Sequence, residues 1–240
     1  EWVNHLAAQI DVRRSLEQPM FDAEVNVGGS IRLLECCVRH RVRKFLFAST
    51  GGAIYGEPEN LPADEDCPPA PLSHYGTSKL CVEHYVALYA RLYSLPYTIL
   101  RFPNVYGPRQ NPEGEAGVCS ILIGLLLAGQ QPTLYGFGEP LRDYVYVGDI
   151  ARGCVLALDQ GEGATVNLGS GQGTSVNELY ALIAELLGVD VEAKREPLRA
   201  GEVDRIYISG DRAADVLGWR PEIDLREGLR RTIAHIRAAG

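Results

Sequence analysis

A tyrosine and a lysine lie four residues apart in the segment Tyr75-Gly-Thr-Ser-Lys79. On a helix this spacing places both side chains on one face, where they can act together. An unperturbed phenol loses its proton at a pH of about 10, and an adjacent cation favours the ionised form. The spacing therefore predicts that Lys79 lowers the pKa of Tyr75, so that Tyr75 can remove the proton of an alcohol.

Two hydroxyl residues precede this pair in the segment Phe47-Ala-Ser-Thr-Gly-Gly-Ala-Ile-Tyr-Gly56. They follow an apolar run that is typical of a strand, and ligands of open α/β sheets bind at the carboxyl ends of strands. Either Ser49 or Thr50 could relay a proton between a substrate hydroxyl and Tyr75. The sequence does not rank the two.

The elements that must position these residues alternate between strand and helix. Apolar runs predict strands at 2–6, 44–48 and 97–101, and helical spacing predicts helices at 21–39 and 75–92. This alternation predicts a parallel sheet covered by helices.

Beyond Pro103 the pattern is less regular. Ser175 and Glu178 form a capping-box signature before a helix that Gly188 can end. Asp149 is expected to cap another helix, and Gly169-Ser-Gly-Gln-Gly173 is interpreted as a structural turn. The remaining predicted elements are a helix at 117–128, short strands at 132–135 and 143–147, and helices at 211–218 and 225–237.

Composition limits the classes of function. The 240 residues are 46% hydrophobic and 22% charged, and the formal net charge of -8 disfavours nucleic acid and anionic membrane surfaces as partners. The longest apolar run, 121–128, is too short to span a membrane. Six cysteines without a Cys-x-x-Cys pair indicate reduced thiols in a cytoplasmic protein, and the five histidines have no ligand spacing that would indicate a metal site.

Five motifs together resemble the extended short-chain dehydrogenase/reductase family, and within it the UDP-glucose 4-epimerase (UDP-galactose 4-epimerase) group. The motifs are His5-Leu-Ala-Ala8, Ser49-Thr50, Tyr75-x-x-x-Lys79, Arg101-Phe-Pro-Asn-Val-Tyr-Gly-Pro-Arg109 and Arg142-Asp-Tyr-Val-Tyr-Val147. The resemblance implies an α/β fold with a Rossmann-like doubly wound parallel sheet and a smaller α/β substrate-binding domain. Residues 1–104 would be the C-terminal part of the NAD-binding domain. Residues 105–240 would be mainly the substrate domain, interleaved with sheet elements near 133–168.

The resemblance also implies roles for individual residues. Tyr75 would be the catalytic base, Lys79 would hold the nicotinamide ribose, and Thr50 or Ser49 would be the proton relay. The residues expected at the NAD cofactor are Ala7, Ala8, Ser49, Tyr75, Lys79 and Pro103. The residues expected at the sugar nucleotide are Gln9, Asn104, Val118, Thr133, Tyr135, Arg142, Tyr144, Arg199 and Glu202, with the two arginines on the diphosphate.

The glycine-rich turn that holds the NAD pyrophosphate in such proteins is expected before Glu1, which suggests that the sequence is a fragment. The implied reaction interconverts UDP-glucose and UDP-galactose by transient NAD-dependent oxidation at the sugar C4, in a homodimer. Alternatives are 4-epimerisation of N-acetylated or uronic-acid UDP-sugars, nucleotide-sugar 4,6-dehydration, and a truncated, non-catalytic module that binds sugar nucleotides or dimerises. A dehydratase of this family would carry acidic residues at the positions of Gly51 and Gly52.

Overall fold

A computed structural model describes residues 1–111, 117–199 and 202–239 of the chain. Eleven strands occur in this described part: β1 (Trp2–His5), β2 (Lys44–Thr50), β3 (Tyr97–Phe102), β4 (Asn104–Tyr106), β5 (Thr133–Tyr135), β6 (Leu141–Arg142), β7 (Tyr144–Tyr146), β8 (Ala164–Asn167), β9 (Thr174–Ser175), β10 (Lys194–Glu196) and β11 (Arg205–Ile206). Its ten α-helices are α1 (Val12–Glu17), α2 (Pro19–Ala23), α3 (Gly29–Arg39), α4 (Gly51–Ile54), α5 (His74–Tyr93), α6 (Val118–Leu127), α7 (Val147–Asp159), α8 (Val176–Leu187), α9 (Asp211–Leu217) and α10 (Leu225–Ala239).

The main sheet is parallel and has the strand order β1-β2-β3-β8. Side chains alternate across β2, so that Phe45 and Phe47 pack on one face with α3 and α5, whereas Leu46 packs on the other with α7 and α9. Because both faces bury a hydrophobic core, the sheet is doubly wound, and the fold class predicted from the sequence is confirmed.

A second core lies beside this sheet and joins α6, α8 and α10 to short strands. Three small sheets border it, β4-β7, β5-β10 and β11-β6-β9. The strand β8 returns from this part of the chain to the main sheet, so that the two parts are interleaved.

The helix ends follow the sequence in most places. The Ser73 side chain accepts a hydrogen bond from the Gly76 N–H at the start of α5, and the capping box at Ser175 and the left-handed Gly188 bound α8 as predicted. One expectation was wrong: α7 begins at Val147, so Asp149 lies inside its first turn and accepts the Ile223 N–H instead of capping the helix.

The helix predicted at 21–39 contains a π-helical turn, Glu24–Gly28, between α2 and α3. Gly169 and Gly171 lie in a turn between β8 and β9, as interpreted from the sequence, and a Cβ on Gly169 would lie 2.0 Å from the Ile208 carbonyl oxygen. In the described part of the chain, every helix is too short or too polar to cross a membrane.

Candidate active site

A cavity of about 680 Å³ opens at the carboxyl edge of the main sheet and extends toward the second core. Most of the residues that the sequence assigned to cofactor or substrate border it. Those residues are Ser49, Thr50, Tyr75, Lys79, Pro103, Asn104, Val118, Thr133, Tyr135, Arg142, Tyr144, Arg199 and Glu202. The topology therefore brings together side chains as far apart in the chain as Ser49 and Glu202, a separation about as long as a whole small domain.

The first two turns of α5 supply Tyr75 and Lys79. The Lys79 ammonium is 4% exposed and donates a hydrogen bond to the Ala48 carbonyl oxygen at 2.9 Å. Its nitrogen lies 5.0 Å from the centre of the Phe47 ring and 5.9 Å from that of the Tyr75 ring. Tyr75 and Lys79 thus lie on one face of α5, as their spacing predicts.

The protonation of this pair differs from the expectation. Burial raises the pKa of Tyr75 to about 12, the nearby Asp22 carboxylate acts in the same direction, and a hydrogen bond with Thr50 opposes both. Burial also lowers the pKa of Lys79 to about 8, although the negative charges of Asp22 and Glu83 act to raise it. The pKa of Tyr75 is thus raised, whereas the sequence predicted a lowered value, because loss of water around the phenol outweighs the contacts that favour its ionised form. The effect of Lys79 on this pKa stays a prediction.

The two candidate relay hydroxyls make different contacts. Thr50 lies close enough to Tyr75 for its hydroxyl to favour the ionised phenol and so to lower its pKa. The Ser49 hydroxyl instead donates to Glu83 Oε1 at 2.5 Å, in a buried position. Of the two hydroxyls, Thr50 is thus the one that acts on the phenol.

Arg142 reaches the cavity from β6. Its Nη1 donates to the carbonyls of Leu141 and Asp204 at 2.9 and 3.0 Å, and its Nη2 donates to the Val203 carbonyl. Burial lowers the pKa of this guanidinium, and none of the carboxylates in the described ranges forms a salt bridge with it. A desolvated cation fixed only by carbonyl oxygens suits an anionic ligand.

Arg199 is oriented by two contacts. Its guanidinium carbon lies 3.9 Å from the centre of the Tyr135 ring, and its Nη2 lies 2.5 Å from Glu202 Oε1. The predicted second phosphate arginine is thus paired with a carboxylate that was itself assigned to the substrate. Any anion that binds Arg199 must compete with Glu202.

Three of the assigned residues, Ala7, Ala8 and Gln9, are absent from the cavity wall as described. Gln9 is 8% exposed, and its side-chain amide donates to Asp22 Oδ1 at 2.9 Å. Asp22 also accepts the Ser78 hydroxyl at 2.6 Å and the Asn26 amide at 3.1 Å. Gln9 therefore supports the buried carboxylate next to α5.

Several residues at or near the site carry no recognisable sequence pattern. Arg13 and Gln110 border the cavity, and the Gln110 Oε1 atom is buried without a hydrogen-bond partner in the described residues. The completely buried Asp22 acts on both Tyr75 and Lys79, yet it occupies an ordinary position in an amphipathic helix. The described residues contain no cluster of His, Cys, Asp or Glu that could hold a metal ion.

A Rossmann-like sheet with a Tyr/Lys pair at its carboxyl edge, in a cavity that Arg142 and Arg199 also border, defines a protein of the short-chain dehydrogenase/reductase type. The chain belongs to the NAD dependent epimerase/dehydratase family, whose model matches residues 1–169. It is 50% identical over 233 residues to a putative UDP-glucose 4-epimerase of Methanocaldococcus jannaschii, an alignment that covers 97% of this chain and 76% of the relative.

Two solved structures extend this similarity to three dimensions. The UDP-glucose 4-epimerase of Thermotoga maritima with UDP-glucose has a TM-score of 0.98 and 44% identity, over 100% of this chain and 78% of that one. The UDP-glucose 4-epimerase of Thermus thermophilus with NAD has a TM-score of 0.95, the same identity and the same coverage.

Proposed function

We propose that the protein interconverts UDP-glucose and UDP-galactose by NAD-dependent epimerisation at the sugar C4. The observation that carries the proposal is that Thr50, Tyr75 and Arg142 line one and the same cavity. Relatives with 44% and 50% identity carry the name of this activity.

The residues at the sheet edge fit a nicotinamide ribose. An ammonium has three N–H donors, and Lys79 uses one of them on the Ala48 carbonyl while it borders the cavity. Its remaining donors suit the hydroxyls of a ribose, and Pro103 offers an apolar surface on the same wall. When bound there, NAD would take up a hydride from the sugar carbon and return it.

The chain's own residues manage the proton. Tyr75 accepts the proton of the C4 hydroxyl and later returns it, and Thr50 passes it between sugar and phenol. The Lys79 charge stabilises the phenolate while it exists. Because burial keeps the phenol protonated, Tyr75 must first lose its own proton, and the positive charge that the nicotinamide of NAD would bring beside it favours that ionisation.

The opposite wall holds the substrate. Arg142 and Arg199 bind the two phosphates, and the Asn104 amide lies beside Gly52 at the sugar end, where a Cβ on Gly52 would be 3.6 Å from Asn104 Oδ1. Tyr135 and Tyr144 border the base. Firm binding of the diphosphate lets the sugar turn without leaving, so that both of its faces can be presented to Tyr75.

Dehydration of the sugar is disfavoured by the local geometry. That reaction needs further acid and base groups next to Thr50, where the chain has Gly51 and Gly52. A Cβ on Gly51 would lie 2.3 Å from Cδ1 of the buried Ile208, so the position has no room for a carboxylate unless Ile208 moves.

The protein is also proposed to be a cytoplasmic homodimer. All six cysteines are free thiols, which suits a reducing compartment. Leu92 on α5 is 61% exposed and Val25 on the π-helical turn that contacts α5 is 39% exposed, and such exposed apolar side chains suit contact with a second copy.

A direct test supplies the purified protein with NAD and UDP-galactose and follows UDP-glucose by coupled oxidation. We expect formation of UDP-glucose that Y75F abolishes. UDP-N-acetylglucosamine and UDP-glucuronate, assayed in parallel, test the alternative substrates, and faster turnover of either would replace the proposed one. Binding of UDP-sugars without turnover in the presence of NAD would favour a non-catalytic binding module.

A further inference from the structure

A buried ion pair lies beneath the site and takes part in none of the steps above. Glu83 on α5 and Arg101 on β3 are each 6% exposed. Arg101 Nη2 lies 2.6 Å from Glu83 Oε2, and its Nε lies 3.0 Å from Glu83 Oε1, so the contact is bidentate. The Ser49 hydroxyl donates to the same Oε1 at 2.5 Å.

The pair is part of a larger buried network. Arg101 Nη1 donates to the Tyr55 hydroxyl at 2.7 Å, which in turn donates to Asn167 Oδ1 at 2.8 Å. These contacts connect α5 with three strands of the main sheet. Because burying two charges costs about as much free energy as their attraction returns, such a pair is weak evidence of a purely stabilising role.

The placement of the pair relates it to the chemistry. Glu83 lies one helical turn beyond Lys79, and Ser49 directly precedes Thr50 in β2. Neighbouring side chains of a strand point to opposite sides, so a contact that fixes Ser49 also fixes the direction in which Thr50 points. Thr50 is the last residue of the strand, where the register would otherwise be least constrained.

We propose that Glu83, fixed by Arg101 and acting through Ser49, is a positioning residue that directs the Thr50 hydroxyl toward Tyr75. Glu83 touches neither substrate nor cofactor in this arrangement. The expected effect on rate rests on the proposed epimerase function. The expected effect on the placement of Thr50 does not.

The kinetic test uses S49A, E83Q and the double variant, each supplied with NAD and UDP-galactose. Because a misplacement of about 1 Å costs up to about 100-fold in rate, we expect kcat to fall about tenfold in each single variant, with KM changed less than about twofold. Since Ser49 and Glu83 act through the same contact, kcat of the double variant should be no lower than that of the slower single variant. Losses that multiply, or a wild-type kcat in S49A, would overturn the proposal.

D149N is a matched control. Asp149 is a 3% exposed carboxylate that also accepts hydrogen bonds from a backbone N–H and from Arg152, but it borders no part of the cavity. We expect D149N to lower the melting temperature and to keep the wild-type kcat. An equal fall of kcat in D149N would mean that general loss of stability explains the effect.

A spectroscopic measurement separates this proposal from the proposed function. With ¹³C at Cζ of tyrosine, the Tyr75 signal is identified by its loss in Y75F, and T50V gives the chemical shift of that signal without the Thr50 hydroxyl. S49A and E83Q should move the signal toward the T50V position, whereas D149N should not, even if no epimerase activity is found. A signal that stays at the wild-type position in both variants would refute the positioning role.

Discussion

The Ser49 hydroxyl donates a 2.5 Å hydrogen bond to the buried Glu83, whereas the next residue of the strand, Thr50, lies close enough to Tyr75 to act on its phenol. Burial raises the pKa of Tyr75 to about 12, and the Thr50 hydroxyl opposes this shift. We therefore expect Thr50 to be both the route for the proton and a stabiliser of the phenolate.

Removal of the Thr50 hydroxyl is expected to slow the chemical step. General acid–base groups contribute about 10²- to 10⁴-fold, so T50V should lower kcat by about 10²-fold and Y75F by more, with KM little changed. Steady-state kinetics with UDP-galactose and UDP-glucose measures both constants. T77V is the matched control, because Thr77 is an exposed residue of α5 whose hydroxyl bonds only the Ser73 carbonyl among the described residues. A T50V protein as active as T77V would exclude Thr50 from the relay.

The lowered pKa of Lys79 predicts a pH dependence of stability. Lys79 gives up its proton in the folded protein at a pH of about 8, whereas the unfolded chain keeps it up to about 10.5. Between these values the unfolded state binds more protons, so this group makes the folded state more stable as pH rises. The free energy of unfolding of wild type should therefore rise relative to K79M by up to about 3 kcal/mol across this window.

Denaturant titrations of wild type and K79M at several pH values measure this difference in the free energy of unfolding. Groups that titrate alike in both proteins do not contribute to the difference. The same ionisation should reduce turnover above pH 8, because a neutral Lys79 no longer stabilises the phenolate. A stability difference that is constant with pH would show that the pKa of Lys79 is not lowered.

Arg142 is expected to supply much of the affinity for the diphosphate. Its guanidinium forms no salt bridge in the described residues and is already desolvated, so an anion gains a strong hydrogen-bonded contact at small further cost. R142M should weaken UDP binding about 10- to 100-fold in calorimetry. R226Q removes an arginine that pairs with the exposed Glu185 and should bind UDP as wild type does. Equal affinity in R142M and R226Q would place the diphosphate elsewhere.

Two roles of Glu202 lead to opposite predictions for substrate binding. Its Oε1 lies 2.5 Å from Arg199 Nη2, where it would compete with phosphate, and the family resemblance implies that it contacts the substrate directly. If it competes with phosphate for Arg199, E202Q should bind UDP about two- to fivefold more tightly, the gain expected from one partly exposed ion pair. Weaker binding in E202Q would instead support a direct contact with the nucleotide, and calorimetry decides between the two outcomes.

The sequence predicts the site in outline because its signals are local. The spacing of Tyr75 and Lys79 on a helix, and the end of a buried strand at Thr50, need no knowledge of the rest of the chain. The choice between Ser49 and Thr50 could not be made from sequence, because it depends on Glu83, which lies 34 positions from Ser49.

The direction of the Tyr75 pKa shift could not be predicted from sequence for a related reason. Residues from distant segments bury the phenol and raise its pKa, and sequence spacing contains no information on burial. Gln9 was assigned by resemblance alone, and in the structure its amide bonds Asp22 in the π-helical region that no sequence pattern predicted.

The turn at Gly169 connects β8 of the main sheet to β9, the strand that pairs with Arg142. There is no room for a side chain at Gly169. A Cβ there would lie 2.0 Å from the Ile208 carbonyl oxygen, a backbone atom of a buried residue that is held in a β-bridge with Ala63. G169A should therefore lower the free energy of unfolding by about 1–3 kcal/mol, as overpacking does. G29A is the matched control, since Gly29 lies in a helix with open space around it, and alanine there should stabilise by about 0.5–1 kcal/mol. Urea titrations of both variants measure the two changes, and a G169A protein as stable as wild type would mean that the close approach of the two segments is not maintained in solution.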